Sequence, residues 1–102
     1  MFDKNLLEGK RILVTGGGSG LGKEMSRHFL TYGAEVIICG RRDEVLQKTA
    51  KELNDETKGK ITAHSLDIRD SLAIEETINN VFDEGPLDGL VNTAAGNFIS
   101  RT

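Results

Sequence analysis

Cysteine, basic clusters and long apolar runs are scarce or absent in this 102-residue sequence, and each scarcity excludes a class of protein. The single cysteine, Cys39, excludes an internal disulfide and a cysteine-ligated metal cluster, and it fits a reducing compartment. The net charge is −3 with no basic run, so nucleic acid is not expected as a partner. No apolar run approaches the roughly 18 residues that a membrane span requires, so no membrane association is expected.

The start of the chain also lacks a secretory signal, because residues 1–8 have neither a long apolar core nor a small-residue cleavage site. What remains is typical of a soluble, folded domain, since 37% of the residues are hydrophobic and 28% are charged. With no signal or membrane span in the sequence, we expect a cytoplasmic location. A chain of 102 residues has room for one domain and not for two. We therefore expect residues 1–102 to form a single unit.

Strand-like apolar runs alternate along the chain with segments of helical length. Residues 11–15 and 35–40 predict two buried strands, because they are rich in Ile, Val and Leu and lead into glycine. Residues 61–66 predict a weaker third strand, and residues 87–92 begin a fourth.

Three helices are predicted between these strands. Asp43 is a good N-cap for the second, and Asp70 or Ser71 can cap the third. The chain's one proline follows Gly85, where it ends the third helix. The apolar positions expected to face the core are Leu21, Met25 and Phe29 in the first helix, Leu46, Ala50 and Leu53 in the second, and Ile74, Ile78, Val81 and Phe82 in the third.

This order of strands and helices predicts an α/β fold with a parallel sheet. Right-handed crossovers place the strands in the order 3-2-1-4 with helices on both faces, which is a truncated, doubly wound sheet of the Rossmann type. In such sheets ligands bind outside the carboxyl ends of the strands, at the point where the strand order reverses. The expected site therefore lies between the loops that follow the first and fourth strands.

A glycine-rich loop stands at that place, between the first strand and the first helix. Backbone N–H groups at a helix start favour phosphate, and glycines let the chain approach it closely. The pattern G-x-G-x-x-G/A fails here, because Leu21 or Lys23 stands where it demands a small residue, whereas T-G-x-x-x-G-x-G fits. The predicted cofactor-binding residues of the loop are Gly16, Gly18, Ser19, Gly20, Leu21 and Gly22.

Two other interpretations of the loop stay open. Gly17 to Lys23 nearly matches a P-loop, G-x-x-x-x-G-K-[ST], but Glu24 replaces the hydroxyl residue that a P-loop uses to hold Mg²⁺. The loop could also be a turn that binds nothing, although so many glycines exceed what a turn needs.

The residues after the second and third strands suggest which dinucleotide binds. An acid after the second strand would favour NAD, whereas this chain has Arg41 and Arg42, which can hold the 2′-phosphate of NADP. The alternative is a pair of solvated surface arginines. Asp67, after the third strand, could accept a hydrogen bond from the adenine amino group, or it could cap a helix or face solvent. We expect NADP(H) as the cofactor.

Three motifs in register resemble those of the short-chain dehydrogenases/reductases. They are T-G-x-x-x-G-x-G, Leu-Asp-Ile after the third strand, and Asn-Thr-Ala-Ala-Gly at residues 92–96 after the fourth. The usual last motif is N-N-A-G, from which Thr93 and Ala95 depart. The extended form Asn-x-Ala-Ala-Gly-Asn-Phe is similar to that of the 2,4-dienoyl-CoA reductase branch, which reduces unsaturated fatty acyl-CoA with NADPH.

The resemblance implies further roles and partners. Asn92, Ala94 and Gly96 would line the adenosine ribose and the pyrophosphate, although Asn92 could equally be a structural residue between strands. Asn97 and Phe98 could reach the nicotinamide and the acyl chain. An acyl-CoA-like substrate and a homo-oligomeric full-length form are also implied.

The family's catalytic groups are a serine and a Tyr-x-x-x-Lys motif, in which the tyrosine is the general acid and the lysine lowers its pKa. Here the one tyrosine, Tyr32, is followed four residues later by Val36. The only histidines, His28 and His64, fall in different elements, so no catalytic or metal residue is assigned. We expect residues 1–102 to form an NADP(H)-binding half-domain that lacks the catalytic half and is inactive alone. A non-catalytic nucleotide-binding or regulatory module is the alternative.

Overall fold

The computed structural model describes residues 6–16, 20–67 and 69–93. Strands and helices alternate through these residues, as the apolar runs predict. The elements in chain order are β1 (Arg11–Thr15), α1 (Gly20–Thr31), β2 (Glu35–Gly40), α2 (Asp43–Thr57), β3 (Ile61–Ser65), α3 (Ser71–Asp83) and β4 (Gly89–Asn92).

The four strands form one parallel sheet in the order β3-β2-β1-β4, which confirms the predicted topology. Thr15 is level with Cys39 of β2 on one side and with Asn92 of β4 on the other. Because the strands are parallel and in this register, their carboxyl ends meet along one edge. The loops that follow the strands therefore gather at that edge.

The two faces of the sheet are packed unequally. Alternate residues along a strand point to opposite faces, so β1 sends Ile12 and Val14 to one face and Leu13 to the other. The face covered by α1 and α2 holds the larger cluster of buried residues: Ile12, Val14, Leu30, Ala34, Val36, Ile38, Leu46, Ala50, Leu53 and Val91. The α3 face holds the smaller one: Leu13, Ile37, Cys39 and Val81.

The predicted inward face of α1 is wrong at its first position. Leu21 is 54% exposed, while the buried residues of the helix are Gly22, Ser26 and Leu30. Met25 and Phe29 are only partly buried beside the large cluster. Small residues let the helix approach the sheet closely, and the Ser26 hydroxyl is satisfied by donating to the Gly22 carbonyl at 2.8 Å.

Element ends differ from the predictions by small steps. Arg42, not Asp43, holds the N-cap position of α2, and its side chain makes no cap hydrogen bond; Asp43 is the first helical residue. At α3 the cap is Asp70, one of the two predicted candidates, and its carboxylate accepts from the amides of Leu72 and Ala73. The third strand ends at Ser65 instead of residue 66, and the fourth begins at Gly89 instead of residue 87.

Helix α3 is fixed to the sheet mainly at its C-terminal end. Val81 is its one buried residue among those described. The buried guanidinium of Arg11 donates through Nη1 to the carbonyls of Val81, at 2.9 Å, and Gly85, at 2.5 Å. Its Nε lies 3.4 Å from the carboxylate of Glu35 on β2. A buried arginine on β1 thus joins the sheet to the end of α3.

Candidate cofactor site

A cavity of about 360 Å³ opens at the carboxyl edge of the sheet, beneath α3. It collects the ends of β1, β2 and β4 and the residue that follows β3. Its walls are Thr15, Gly16, Gly40, Arg41, Leu66 and Asn92, together with Ile74, Thr77 and Ile78 of α3, over a floor of Leu13, Cys39 and Leu90. It occupies the place where the strand order predicts a ligand.

The described part of the glycine loop has the backbone that its sequence requires. Gly16 has φ +75°, and its amide donates to the Cys39 carbonyl at 2.8 Å, which prolongs the β1–β2 pairing into the loop. Gly20, which opens α1, has φ +57°, a conformation that costs other residues energy. Open space surrounds the position of a Cβ there. The predicted residues Gly18 and Ser19 lie outside the described residues.

The next two predicted loop residues point in different directions. Gly22 is buried on the sheet side of α1, which corresponds to the glycine that such folds use for close helix packing. Leu21 is exposed, at the same end of the helix as the loop. Gly22 therefore allows close packing of α1 on the sheet, whereas Leu21 is exposed at the carboxyl edge of the sheet.

The basic and acidic residues after the loop are engaged with each other and with α2. The ammonium of Lys23 lies 2.7 Å from the carboxylate of Glu52, and Glu24 pairs with Arg27, which also reaches Glu56. The bond from Arg27 lowers the pKa of Glu24. A P-loop needs this lysine at the phosphates, so these contacts argue against the NTPase interpretation.

Arg41 and Arg42 are both exposed beyond the end of β2. The Ser65 hydroxyl donates to the Arg41 carbonyl at 3.4 Å, which links this segment to the end of β3. No ion pair within the described ranges uses either guanidinium. Arg41 lines the cavity, and both arginines remain available to an anion at this edge.

Asp67 stands just after β3 and is held by a residue that the sequence analysis did not single out. Its Oδ1 accepts from the backbone amide of Arg69 at 2.9 Å and from Nε at 3.2 Å, and its Oδ2 accepts from Nη2 at 3.1 Å. These bonds lower the pKa of Asp67 to about 2, with a smaller contribution from the charge of Arg41. The spacing Asp-x-Arg before a helix is the signal that could have identified the pair.

The ends of β1 and β4 are joined by side chains. The Thr15 hydroxyl lies 2.9 Å from Oδ1 of Asn92, and the Thr93 hydroxyl donates to the Thr15 carbonyl at 2.7 Å. Thr93 thus contributes a strand-to-strand bond at the position where the family motif has asparagine. The predicted residues Ala94 and Gly96, and the neighbouring Asn97 and Phe98, lie outside the described residues.

Two further side chains with possible reactivity are Cys39, in the floor of the cavity, and Tyr32. Cys39 is buried, which raises the pKa of its thiol to about 11. Tyr32 follows α1 at the opposite edge, where its carbonyl accepts from the Leu7 amide. The described residues contain no group of three or more His, Cys, Asp or Glu side chains that could hold a metal ion. Nor is any described helix long and apolar enough to cross a membrane.

Comparison with known proteins agrees with this geometry. The family model for short chain dehydrogenases matches residues 10–101. The Caenorhabditis elegans protein named "Probable 2,4-dienoyl-CoA reductase 3" is 43% identical over 99 residues, covering 94% of this chain and 32% of that protein. The chain thus spans about a third of the length of this curated relative.

Two solved structures share the fold. The citronellol catabolism dehydrogenase of Pseudomonas aeruginosa PAO1 superposes with a TM-score of 0.86 at 38% identity, over 90% of this chain and 38% of that one. A short chain dehydrogenase of Escherichia coli CFT073, complexed with NADPH, has a TM-score of 0.83 at 33% identity, over 90% of this chain and 40% of that one. With the family model matching nearly all of its length, this chain belongs to the short-chain dehydrogenase/reductase family and is similar to its 2,4-dienoyl-CoA reductases.

Proposed function

We propose that this chain binds the adenosine and pyrophosphate portion of NADP(H), as the cofactor-binding part of a short-chain reductase that acts on unsaturated fatty acyl-CoA. The observation that carries the proposal is the cavity of about 360 Å³ that the exposed Arg41 lines, together with Gly16, whose φ is +75°. NADPH supplies a hydride when bound. This chain's residues would hold and orient it.

Each part of the cofactor has candidate partners along the edge. The loop amides at the start of α1 suit the pyrophosphate, because they carry partial positive charge and lack helical partners. Arg41 and Arg42 suit the 2′-phosphate. Asp67 suits the adenine amino group. Asn92, with Ala94 and Gly96 beyond the described residues, would line the ribose.

Two facts support NADP(H) over NAD(H). A solved relative carries NADPH in its crystal. In this chain the first acid after β2 is Asp43, which belongs to α2, while the two positions before it are exposed arginines. A carboxylate there would accept from the 2′-hydroxyl of NAD, whereas a guanidinium fork matches a phosphate.

The substrate class is proposed from the relatives' names and from the Asn-x-Ala-Ala-Gly-Asn-Phe segment. The chain itself supplies no Tyr-x-x-x-Lys motif, since Tyr32 is its one tyrosine. We therefore assign binding, and no proton transfer, to residues 1–102.

The test is to measure the Kd of NADPH and of NADH for the complete protein and for Arg41→Asp. Wild type should bind NADPH more tightly than NADH. The substitution should raise the Kd of NADPH by about ten- to a hundred-fold, which is equivalent to one charge-assisted bond of about 1.5–3 kcal/mol. Lys51→Asp, which reverses an exposed charge on α2, is the matched control and should leave both constants unchanged. Equal affinity of wild type for the two cofactors would contradict the proposal.

A further inference from the structure

The Asp67–Arg69 pair is unusually complete for a surface contact. Asp67 is 44% exposed and Arg69 72% exposed, yet three donors of Arg69 reach the carboxylate. A fork of this kind fixes the orientation of both side chains, which a single-point surface ion pair does not.

The hydrogen bonds from Arg69 leave part of the acceptor capacity of the Asp67 carboxylate unused. An ionised carboxylate has about four acceptor positions, two on each oxygen. Oδ1 already accepts two bonds and Oδ2 accepts one. Among the described residues nothing donates to the second acceptor position of Oδ2, and that position suits one N–H of an exocyclic amino group.

The charges around the same edge are closely balanced. Arg41 and Arg42 are followed at once by Asp43 and Glu44 in the first turn of α2. Arg41 is close enough to Asp67 for its charge to lower the pKa of that carboxyl. An unpaired carboxylate at residue 67 would therefore weaken the positive field that a 2′-phosphate meets.

We propose that Arg69 is a positioning residue of the cofactor site, which orients Asp67 toward the adenine amino group and cancels its charge beside the 2′-phosphate. The inference rests on the proposed function, because it assumes that the adenosine end of NADP(H) lies at this edge. Arg69 would then have two effects. Orienting Asp67 strengthens the binding of both NADPH and NADH, whereas cancelling the charge of Asp67 strengthens the binding of NADPH alone.

The two effects separate in the ratio of the Kd values for NADH and NADPH, measured on the complete protein. Arg69→Gln should weaken both cofactors and lower the preference for NADPH by about two- to five-fold, the range expected for an exposed charge interaction. Arg69→Lys keeps the charge but loses the fork, so it should weaken both cofactors while keeping the preference. Arg27→Gln removes another paired arginine, from α1, and should change neither quantity.

A double-substitution cycle tests whether Arg69 acts through Asp67. In an Asp67→Asn background there is no carboxylate charge to cancel, so adding Arg69→Gln should leave the NADPH preference unchanged. A preference that still falls in this background would overturn the proposal, because Arg69 would then act on the phosphate directly. A merely structural role would weaken both cofactors alike and leave the ratio intact in Arg69→Gln, which would also overturn it.

Failure of this inference is distinguishable from failure of the proposed function. If wild type prefers NADPH and Arg69→Gln keeps that preference, only the role of Arg69 is refuted. If wild type binds neither cofactor, or both equally, the proposed function itself fails, and this inference fails with it.

Discussion

Replacing Arg11 by methionine should destabilise the protein and loosen α3 in particular. Arg11 is only 8% exposed, and its guanidinium is the main polar link between β1 and the end of that helix. Methionine fills similar space but makes none of the four contacts to Val81, Gly85, Glu35 and Glu84. The substitution therefore removes the link without leaving a large cavity.

The magnitude follows from the bonds that are lost. Two hydrogen bonds from a charged donor contribute about 1.5–3 kcal/mol each, and removing one partner of a buried ion pair costs about 3–5 kcal/mol. Several features reduce the loss. The Val81 carbonyl keeps the amide of Glu84 at 3.2 Å, and Glu35 keeps Lys60 at 3.7 Å. Nη2 of Arg11 lies 3.6 Å from the exposed Glu84 carboxylate but makes no hydrogen bond with any described residue. We expect a net loss of about 2–4 kcal/mol.

The assay is urea unfolding of the complete protein, followed by circular dichroism, together with amide hydrogen exchange. Exchange should accelerate across α3 more than across α1 and α2, which pack on the other face of the sheet. Lys10→Met alters the exposed neighbouring residue and should change stability by no more than about 0.5 kcal/mol. If Arg11→Met behaves like that control, or if exchange accelerates equally in every helix, the reasoning about this link is wrong.

Two further predictions concern the edges of the same face. Cys39 should resist alkylation at pH 8 in the native protein, because burial raises its pKa to about 11. It should react quickly once the protein is unfolded, and mass spectrometry of the peptide that contains it measures both rates. Fast labelling of the native protein would contradict the burial. Asp70→Ala should cost about 1 kcal/mol of stability by removing the cap of α3, whereas Asp70→Asn should stay within a few tenths; equal losses in denaturant unfolding would show that the cap bond is not the cause.

The sheet could be predicted because its strands are marked by local runs of apolar residues and because its crossover connections have a fixed hand. The strands at 11–15 and 35–40 are β-branched runs with glycine at or after their ends, and their bounds are confirmed to the residue. The order of the strands needed no contact information, since right-handed crossovers leave few alternatives. The candidate edge followed from that order alone.

The inward face of α1 was mispredicted because apolar periodicity cannot identify small residues as core. Met25 and Phe29 do pack beside the core, but Leu21 is exposed, and the fully buried residues of the helix are Gly22, Ser26 and Leu30. The spacing of four between those two small residues was the available signal.

Long-range polar links could not be predicted from the sequence. Arg11 and Gly85 are 74 positions apart, and nothing local to either residue indicates that they meet. Thr93 is a similar case, because its hydroxyl bond to Thr15 depends on the register of β4 against β1. Such contacts depend on the finished fold.

These links give α3 a particular place in the energetics of the site. The helix is fixed at its C-terminal end by Arg11, and its N-terminal end follows the Asp67–Arg69 pair and the Asp70 cap. Between them, Ile74 and Ile78 line the cavity instead of a packed core. A ligand that fills the cavity would add contacts to Ile74 and Ile78, which are only half-buried in the structure. Binding at this edge and the stability of α3 should therefore be coupled, since a ligand stabilises the states that bind it. The α1 and α2 face, with its complete core, should respond much less.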